Sequence, residues 1–362
     1  MKVLHFDLAA GFRGGQRQAL LLHRNLLKAG IDSLLTVDAA GRLREKAAQD
    51  GIEGIVPIQV SRIRPDALAR LSSSASVVRL LRRARPDIVH FHEPASLLYG
   101  PLAGAALRVH TRRVSFPIKP MSVRLKYRPL GLHVGVSEEI SSYLRSLGLD
   151  HVHTVHSGID LARFEHPPAI RPLAGNPHFK LLYVGAFHKM KGIEVLLEAF
   201  CRLAGADIER RLQLHLVGDG ELLPAFRRDL ERQGVADRAV FHGFREDTEA
   251  FLADADAVLV PSTYGEGSNG IIKEGMAAGR PVIASDLACN SELMQAGVDG
   301  LLFRNMDAAD LVQKVTELQE GKWTFDRDHL RATAARFSDT RMSSAYIGLY
   351  ERYLAGRRQG QL

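Results

Sequence analysis

A chain of 362 residues can bury a large core and is long enough for two domains. Its 46% hydrophobic and 25% charged residues are those of a globular protein, and without an apolar run of about 18 residues the sequence offers no membrane span. The net charge of +7 is unevenly placed: residues 1–165 hold 24 Lys+Arg against 14 Asp+Glu, or +10, and the remainder carries −3. That asymmetry favours an anionic partner for the first half (a phosphorylated acceptor, an acidic membrane surface or nucleic acid), with a plain solvated basic surface as the bland alternative. Cys201 and Cys289 have neither metal nor redox spacing, which points to a reducing cytoplasm.

The predicted elements alternate between strand and helix. MKVLHF reads as a buried first strand, too short and too interrupted in its context for a secretory leader. A glycine loop follows, then QRQALLLHRNLLKAG, whose leucines fall at helical spacing before Gly30 as a C-terminal cap. IDSLLTV is a second strand. VVRLLRRAR is a helix broken by Pro86, and DIVHFH the strand after it. LHVGVS is a strand followed by the helix EEISSYLRSLG, with Ser137 as its cap, and HVHTVHSGID is a strand ending in a turn. HPPAIRPLAGNPHF, with four prolines and a glycine, has the composition of an interdomain linker. Beyond it the alternation restarts: KLLYVGAF, IEVLLEAFCRLAG, LQLHLVG, LLPAFRRDLERQG, AVFHGF, TEAFLADA, AVLVPS, IIKEGMAAG, PVIAS, SELMQAG, GLLF and ADLVQKVTELQEG. The tail TRMSSAYIGLYERYLAG is a helix with Tyr346, Tyr350 and Tyr353 on one face. The expected fold is α/β, two doubly wound parallel-sheet domains: residues 1–165, with the helix 341–362 packing back on them, and residues 166–340.

Ligands of such sheets sit beyond the carboxyl ends of the strands. In the second half GAFHKMKG, GDGE, GFRED and STYGEGSNG occupy that place, and their glycines allow close backbone approach. The stretch EGSNGIIKE puts Glu266 before a turn, Ser268, Asn269 and Gly270 at a helix start, and Glu274 about one turn inside. Free amides at a helix start receive phosphate, and an acidic residue inside can accept ribose hydroxyls, so the spacing suits a nucleotide sugar. Lys189 and Lys191 on a neighbouring loop can neutralise a diphosphate.

These segments resemble the E-x7-E signature of retaining glycosyltransferases of family 4 (group 1), which have the GT-B architecture of two facing Rossmann-like domains and an interdomain cleft. YVGAFHKMKG resembles that family's V-G-R-x-x-x-x-K-G loop, LVGDGE its V-G-x-G loop, and FLADADAVLVPSTYGEGSNGIIKEGMAAGRPVIAS its longest block. GGQRQ, DIVHFHEP, VGVSEEI and VHSGIDLARF resemble its first-domain and interdomain motifs in order. The resemblance implies that the Gly14 and Gly15 backbone faces the donor diphosphate, His92 contacts the transferred sugar and Lys191 binds diphosphate. It gives Glu266 with Ser268, Asn269 and Gly270 the sugar and phosphate, and Glu274 the ribose; Phe244 and Arg245 stand near the base. Three positions depart from the pattern. Ala186 stands where the family has a phosphate-binding arginine, a role left to Lys189 or to a basic residue of the first domain. Ser268 and Asn269 replace a Phe-Gly pair, making the sugar pocket more polar, and Ser157 replaces an asparagine.

His90 and His92 are read as facing opposite sides of their strand, so that His92, at the ligand end beside Glu93 and Pro94, reaches the site and His90 stays in the core. The D-x-D of Asp254 and Asp256 straddles a helix end and a strand start, a poor place for a metal loop. His151, His153 and His156 lack a fourth ligand at suitable spacing for zinc. Residues 108–129 include Arg112, Arg113, Lys119, Arg124, Lys126 and Arg128 with no acid, interleaved with Phe116, Met121 and Tyr127. Docking to anionic headgroups or a phosphorylated acceptor is the leading reading, against RNA binding and a plain basic loop; no nucleic-acid motif accompanies the stretch, so no nucleic-acid partner is expected.

The implied activity is retaining, metal-independent transfer from a UDP-, GDP- or ADP-linked sugar to an anionic glycan or lipid-linked acceptor such as a lipopolysaccharide core. The enzyme would need no cofactor and would be cytoplasmic, in peripheral contact with the inner face of the membrane. The alternatives are a sugar-nucleotide epimerase or hydrolase of the same architecture, and a non-catalytic nucleotide-sugar-binding module.

Overall fold

The computed structural model describes residues 1–60, 67–166, 169–173, 178–207 and 211–359, with only the backbone placed for 67–73. Pro167, Pro168 and residues 174–177 of the proline-rich stretch lie outside the described residues. The chain divides into two compact units: Met1–Gly158 with the segment from Asp339 onward, and Ile159–Ser338. The sequence places this boundary at 165/166. The structure places it at Gly158, because Ile159 already bridges to Ser338 inside the second unit.

The first unit has seven parallel strands: β1 (Lys2–Asp7), β2 (Asp32–Asp38), β3 (Ile55–Ile58), β4 (Ile88–Phe91), β5 (Leu107–Arg112), β6 (Leu132–Gly135) and β7 (Val152–Thr154), in the order β3-β2-β1-β4-β5-β6-β7. The second has six: β8 (Phe179–Val184), β9 (Leu212–Val217), β10 (Ala239–Gly243), β11 (Ala257–Val260), β12 (Val282–Ser285) and β13 (Gly300–Phe303), in the order β10-β9-β8-β11-β12-β13. Both orders run outward from the first strand and then reverse, the doubly wound pattern. Helices cover both faces of such a sheet, so its strands are apolar on both sides. In β8, Leu181 and Tyr183 enter one core and Leu182 the other; in β11, Ala257 and Leu259 part from Val258 and Val260 in the same way. In β1, Leu4 and Phe6 face one core of the first unit and Val3 the opposite one.

Two strands of the first unit, β3 and β5, were not anticipated. β5 is the more instructive, because its sequence LRVHTR reads as the head of a basic loop. It lies in the middle of the sheet, with Leu107 and Val109 buried and His110 and Arg112 buried on the other side. Arg112 is accommodated there by donating to the Tyr127 hydroxyl (3.3 Å) and the Phe116 carbonyl, whereas neither ring nitrogen of His110 has a partner among the described residues.

The helix Asp339–Arg358 belongs to the first unit, where it packs on the helix Gly14–Lys28 and the β1/β4 face. Tyr346 and Tyr350, both fully buried, carry the contact: the Tyr350 hydroxyl bonds His90 Nδ1 (2.7 Å) and the Tyr346 hydroxyl bonds Thr111 Oγ1 (2.8 Å). Tyr350→Ala is expected to destabilise the first unit by about 3–5 kcal/mol through the cavity it leaves. Tyr350→Phe, which keeps the ring and loses one hydrogen bond, should cost about 1 kcal/mol. Urea unfolding followed by a probe in the first unit checks the ranking.

Candidate functional site

In the second unit the strand order reverses between β8 and β11, and the loops leaving these two strands meet there. After β8 the chain makes a short 3-10 turn, Lys189–Lys191, and enters the helix Ile193–Ala206 through Gly192. Gly192 has φ +67°, and a Cβ on it would lie 1.8 Å from the Pro261 carbonyl oxygen, so only glycine lets the two loops pass this closely. Backbone bonds lace them together: Thr263 N donates to Met190 O (2.9 Å). The result places Lys191 Nζ 2.5 Å from Glu266 Oε1, which also accepts from Ser262 Oγ (2.9 Å). Tyr183 lies beneath; burial first, and then the Glu266 charge, push its hydroxyl well above the ordinary tyrosine range.

The helix Gly270–Ala277 starts at Asn269, as its sequence suggests. Asn269 is buried, and its Nδ2 has no hydrogen-bond partner among the described residues, a donor that a bound oxygen would satisfy. Glu274 is buried on the same helix. Its Oε2 accepts from Thr248 Oγ1 (3.3 Å), and Arg163 Nη1 stands 3.9 Å from its Oε1. Arg163 also donates to the Glu246 carbonyl (2.7 Å) and pairs with Glu249, so it ties Glu274 to the loop after β10. In that loop Phe244 is exposed, whereas Arg245 is held by Asp247 at 2.9 and 2.7 Å. Lys189 is exposed with no partner for its ammonium among the described residues, and Ala186 contributes only its carbonyl, which accepts from the Tyr183 hydroxyl (2.8 Å). Asp254 and Asp256 are taken up by Arg171 and by Lys180, away from the strand ends that carry Lys191 and Glu266.

Sequence reasoning missed Arg163, Thr248, Ser262 and Lys273. Lys273 is fully buried and donates to Ser268 Oγ (2.8 Å), supporting the turn from below. Its signal was present: a lysine between Ile272 and Met276 sits on the apolar face of its helix, where it is stable only with a polar partner.

In the first unit the order reverses between β1 and β4. Gly14 and Gly15 open the helix Gly14–Lys28, and nothing lies within 4 Å of where a Gly14 Cβ would stand, so its backbone is open to a ligand. The reading of His90 and His92 as facing opposite sides is corrected. Residues two apart on a strand share a face, and the rings lie 4.0 Å apart, with His5 of the register partner strand beside them. His92 is buried at 4% exposure, and both ring nitrogens are engaged: Nδ1 by Arg113 Nη2 (3.1 Å) and Nε2 by His5 Nδ1 (2.9 Å). A guanidinium can only donate, so the His92 proton sits on Nε2 and is given to His5. Burial first, then the neighbouring His90, His5 and Arg113, hold His92 well below the ordinary histidine range, that is, neutral. His5, His90 and His92 bring three ring nitrogens within 4.8 Å of one another. The set does not fit a divalent metal, because Arg113 is a cation on His92 and both His90 nitrogens are bound by Tyr350 and Thr111. His153 and His156 are likewise spoken for, by the Tyr353 hydroxyl and the Val136 carbonyl.

The basic stretch needs a second correction. Arg112 is buried with its guanidinium on Tyr127 and Phe116, and Arg113 is turned onto His92, so neither lies on a docking surface. Lys119, Arg124 and Arg128 are exposed and Lys126 is partly so, around the protruding Met121 and Leu125 at 63% and 62% exposure.

The model of the Glycosyltransferase Family 4 matches residues 12–163, and that of Glycosyl transferases group 1 matches residues 178–320. Two proteins of Rhizobium meliloti are similar over most of their length. The lipopolysaccharide core biosynthesis glycosyltransferase LpsE is 25% identical over 88% of each chain, and LpsD is 26% identical over 99% of this chain and 100% of its own. Among solved structures, Anabaena HepE in complex with UDP and glucose superposes with a TM-score of 0.83 at 19% identity, covering 97% of this chain and 99% of that one. The lipopolysaccharide outer core galactosyltransferase WaaB superposes at 0.71 and 19% identity over the whole of both. Two parallel-sheet α/β units with such neighbours are the GT-B fold.

Asp7, at the end of β1, supplies a test of the buried polar face. Burial, only partly countered by the Gln16 side chain and the Ala9 amide, pushes its carboxyl from 3.8 up to about 6. Its contribution to stability is therefore full below pH 3.8 and is lost as pH rises through about 6, a loss of about 3 kcal/mol. Asp7→Asn removes that titration. Relative to the unaltered protein, the variant is expected to gain up to about 3 kcal/mol between pH ~4 and pH ~7.5, measured by urea unfolding at both.

Proposed function

Because this chain belongs to the group 1 glycosyltransferases of family 4, we propose that it transfers a sugar, with retention of anomeric configuration, from a nucleoside diphosphate sugar to an anionic glycan or lipid-linked acceptor of the lipopolysaccharide-core type. The observation that carries the reading is the meeting of Lys191, Glu266 and the helix start at Gly270 where the second sheet reverses. Lys191 spends one of its donors on Glu266 and keeps the others for a phosphate. The amides around Gly270 and the Asn269 Nδ2, which has no partner among the described residues, add neutral donors beside it. Glu274, held by Thr248 and Arg163, is pre-set to accept ribose hydroxyls. UDP is the first nucleotide to try, since HepE was solved with it.

The chemistry asked of these groups is leaving-group stabilisation. The bond from the anomeric carbon to the diphosphate oxygen breaks, the acceptor oxygen bonds to that carbon from the same face, and its proton passes to the departing phosphate. Lys191 and the helix start hold the charge that develops. No divalent metal is invoked: the D-x-D carboxylates are committed to Arg171 and Lys180. On the acceptor side, exposed Met121 and Leu125 ringed by Lys119, Arg124 and Arg128 combine an apolar tip with cations, as suits an anionic membrane surface. Among the described residues no helix is long and apolar enough to cross a membrane.

Lys191→Ala is expected to lower turnover roughly 10²–10³-fold, the effect of removing one preorganised donor; near-normal turnover would exclude its role. Proton NMR of the product should show the donor's anomeric configuration, and inversion, or epimer or free sugar formed without acceptor, would replace this reading. The full chain should float with vesicles containing anionic lipid and not with neutral ones, and Met121→Asp with Leu125→Asp should abolish flotation. Equal binding to both vesicles would remove the membrane contact.

A further inference from the structure

A cavity of about 410 Å³ in the second unit is lined by Arg163, Arg171, Arg280, Arg327 and Arg331. Neither Lys191 nor Glu266 nor Glu274 lines it, and Arg163 on its wall is the residue it shares with the surroundings of Glu274. Among the described residues the acids on its wall are Glu165 and Glu249, and Glu249 is already taken by Arg163. Arg171 is paired with Asp254 and Arg331 with Asp328 (3.1 Å). Two guanidiniums remain undercompensated. Arg280 donates one Nη to the Ala253 carbonyl, but its Nε is buried with no partner among the described residues. Arg327 makes no hydrogen bond or ion pair among the described residues, and its stem packs against Gly279, where a Cβ would lie 3.1 Å from it.

Arg327 is the first residue of the helix Arg327–Ala335, whose start is capped by the Asp326 carboxylate accepting from the Asp328 amide (2.9 Å), and Arg331 follows one turn later with the same charge. Arg280, half-buried, has its ionised form disfavoured by burial first and by Arg327 next, with only partial relief from Asp254 and Asp256. Arg280 and Arg327 thus bring to one cavity two guanidiniums with no acidic partner among the described residues, of which half-buried Arg280 is the less well solvated. They are satisfied together by a multivalent oxyanion, because guanidinium forks match phosphate oxygens bidentately.

We propose that the cavity between Arg280 and Arg327 is a binding site for a phosphate-bearing ligand, separate from the site at Lys191. Recognition would come from the Arg280 and Arg327 guanidiniums, with Arg331 adding positive field.

The test is isothermal titration of inorganic pyrophosphate into the full chain carrying Lys191→Ala, which weakens the other phosphate site, with and without Arg327→Glu. Arg327 is exposed, and an acid is favoured at a helix start, so the second substitution leaves the fold intact. Binding that survives Lys191→Ala and weakens at least tenfold on adding Arg327→Glu is the expected result. Equal affinity with and without Arg327→Glu, or no binding once Lys191 is removed, overturns the site. Crystals of the unaltered protein soaked in tungstate give an independent reading: an anomalous peak between Arg280 and Arg327 is expected, and peaks confined to Lys191 would sink the proposal. Vesicles of phosphatidylcholine with phosphatidic acid decide the source. Competition with pyrophosphate identifies a lipid headgroup, and its absence identifies a soluble phosphate; either upholds the site.

Discussion

The chemistry of the second unit depends on one backbone contact, the passage of Gly192 against the Pro261 carbonyl. In a doubly wound sheet the loops after the first and fourth strands diverge to opposite faces and leave a crevice at the reversal. How far that crevice closes depends on how closely the two loops can run. A side chain at position 192 would meet the carbonyl oxygen and oppose φ +67° as well, so the contact exists only with glycine. Gly218 and Gly220 repeat the device one strand over, where any Cβ would strike the backbone of Gly185 and Phe187. Three loops are thus stacked backbone to backbone, and Lys191 meets Glu266 because nothing bulkier stands between their turns.

The first unit relies on a different constraint, a buried polar face that must satisfy itself. His5, Asp7, His90 and His92 all lie on the side of the sheet covered by the helices Gly14–Lys28 and Asp339–Arg358. Buried polar groups are tolerated when each finds a partner, and here Gln16, Thr111, Arg113 and Tyr350 supply most of them. The C-terminal helix therefore does more than cover apolar surface. Without Tyr350 and the Tyr346–Thr111 bond, the histidine row would lose its outermost hydroxyls. The same row holds His92 in one neutral tautomer, with Arg113 fixing Nδ1 and His5 taking the proton of Nε2.

Net charge proved a poor guide to local field in both units. The first is basic, yet two of its most prominent cations, Arg112 and Arg113, are turned inward onto Tyr127, Phe116 and His92, so the basic stretch itself keeps only a rim of exposed cations around Met121 and Leu125. The second is slightly acidic in sum, yet it gathers five arginines around one cavity. Long side chains with apolar stems follow packing opportunities rather than the average composition of their segment.

The sequence by itself determined the alternation of strands and helices, and hence two doubly wound sheets, because apolar runs bounded by glycine and proline are local properties of the chain. The ordered motifs likewise marked the Lys191 turn and the Glu266 to Glu274 segment, since a helix start and its glycines are short-range features. What it left hidden was set by contacts between distant segments. The strand β5 was obscured by its own arginines, and the partners of Arg112, Tyr127 and Phe116, come from the segment after the strand. Arg163, Thr248 and Ser262 reveal their service to Glu274 and Glu266 only once the strands are ordered, and the placing of His5 beside His90 and His92 required the β1/β4 register, whereas the shared face of His90 and His92 follows from the strand period alone. Only the tertiary structure decided these points, because a polar side chain's role depends on which donor or acceptor the fold brings within about 3 Å, and that choice is made across the sheet rather than along the chain.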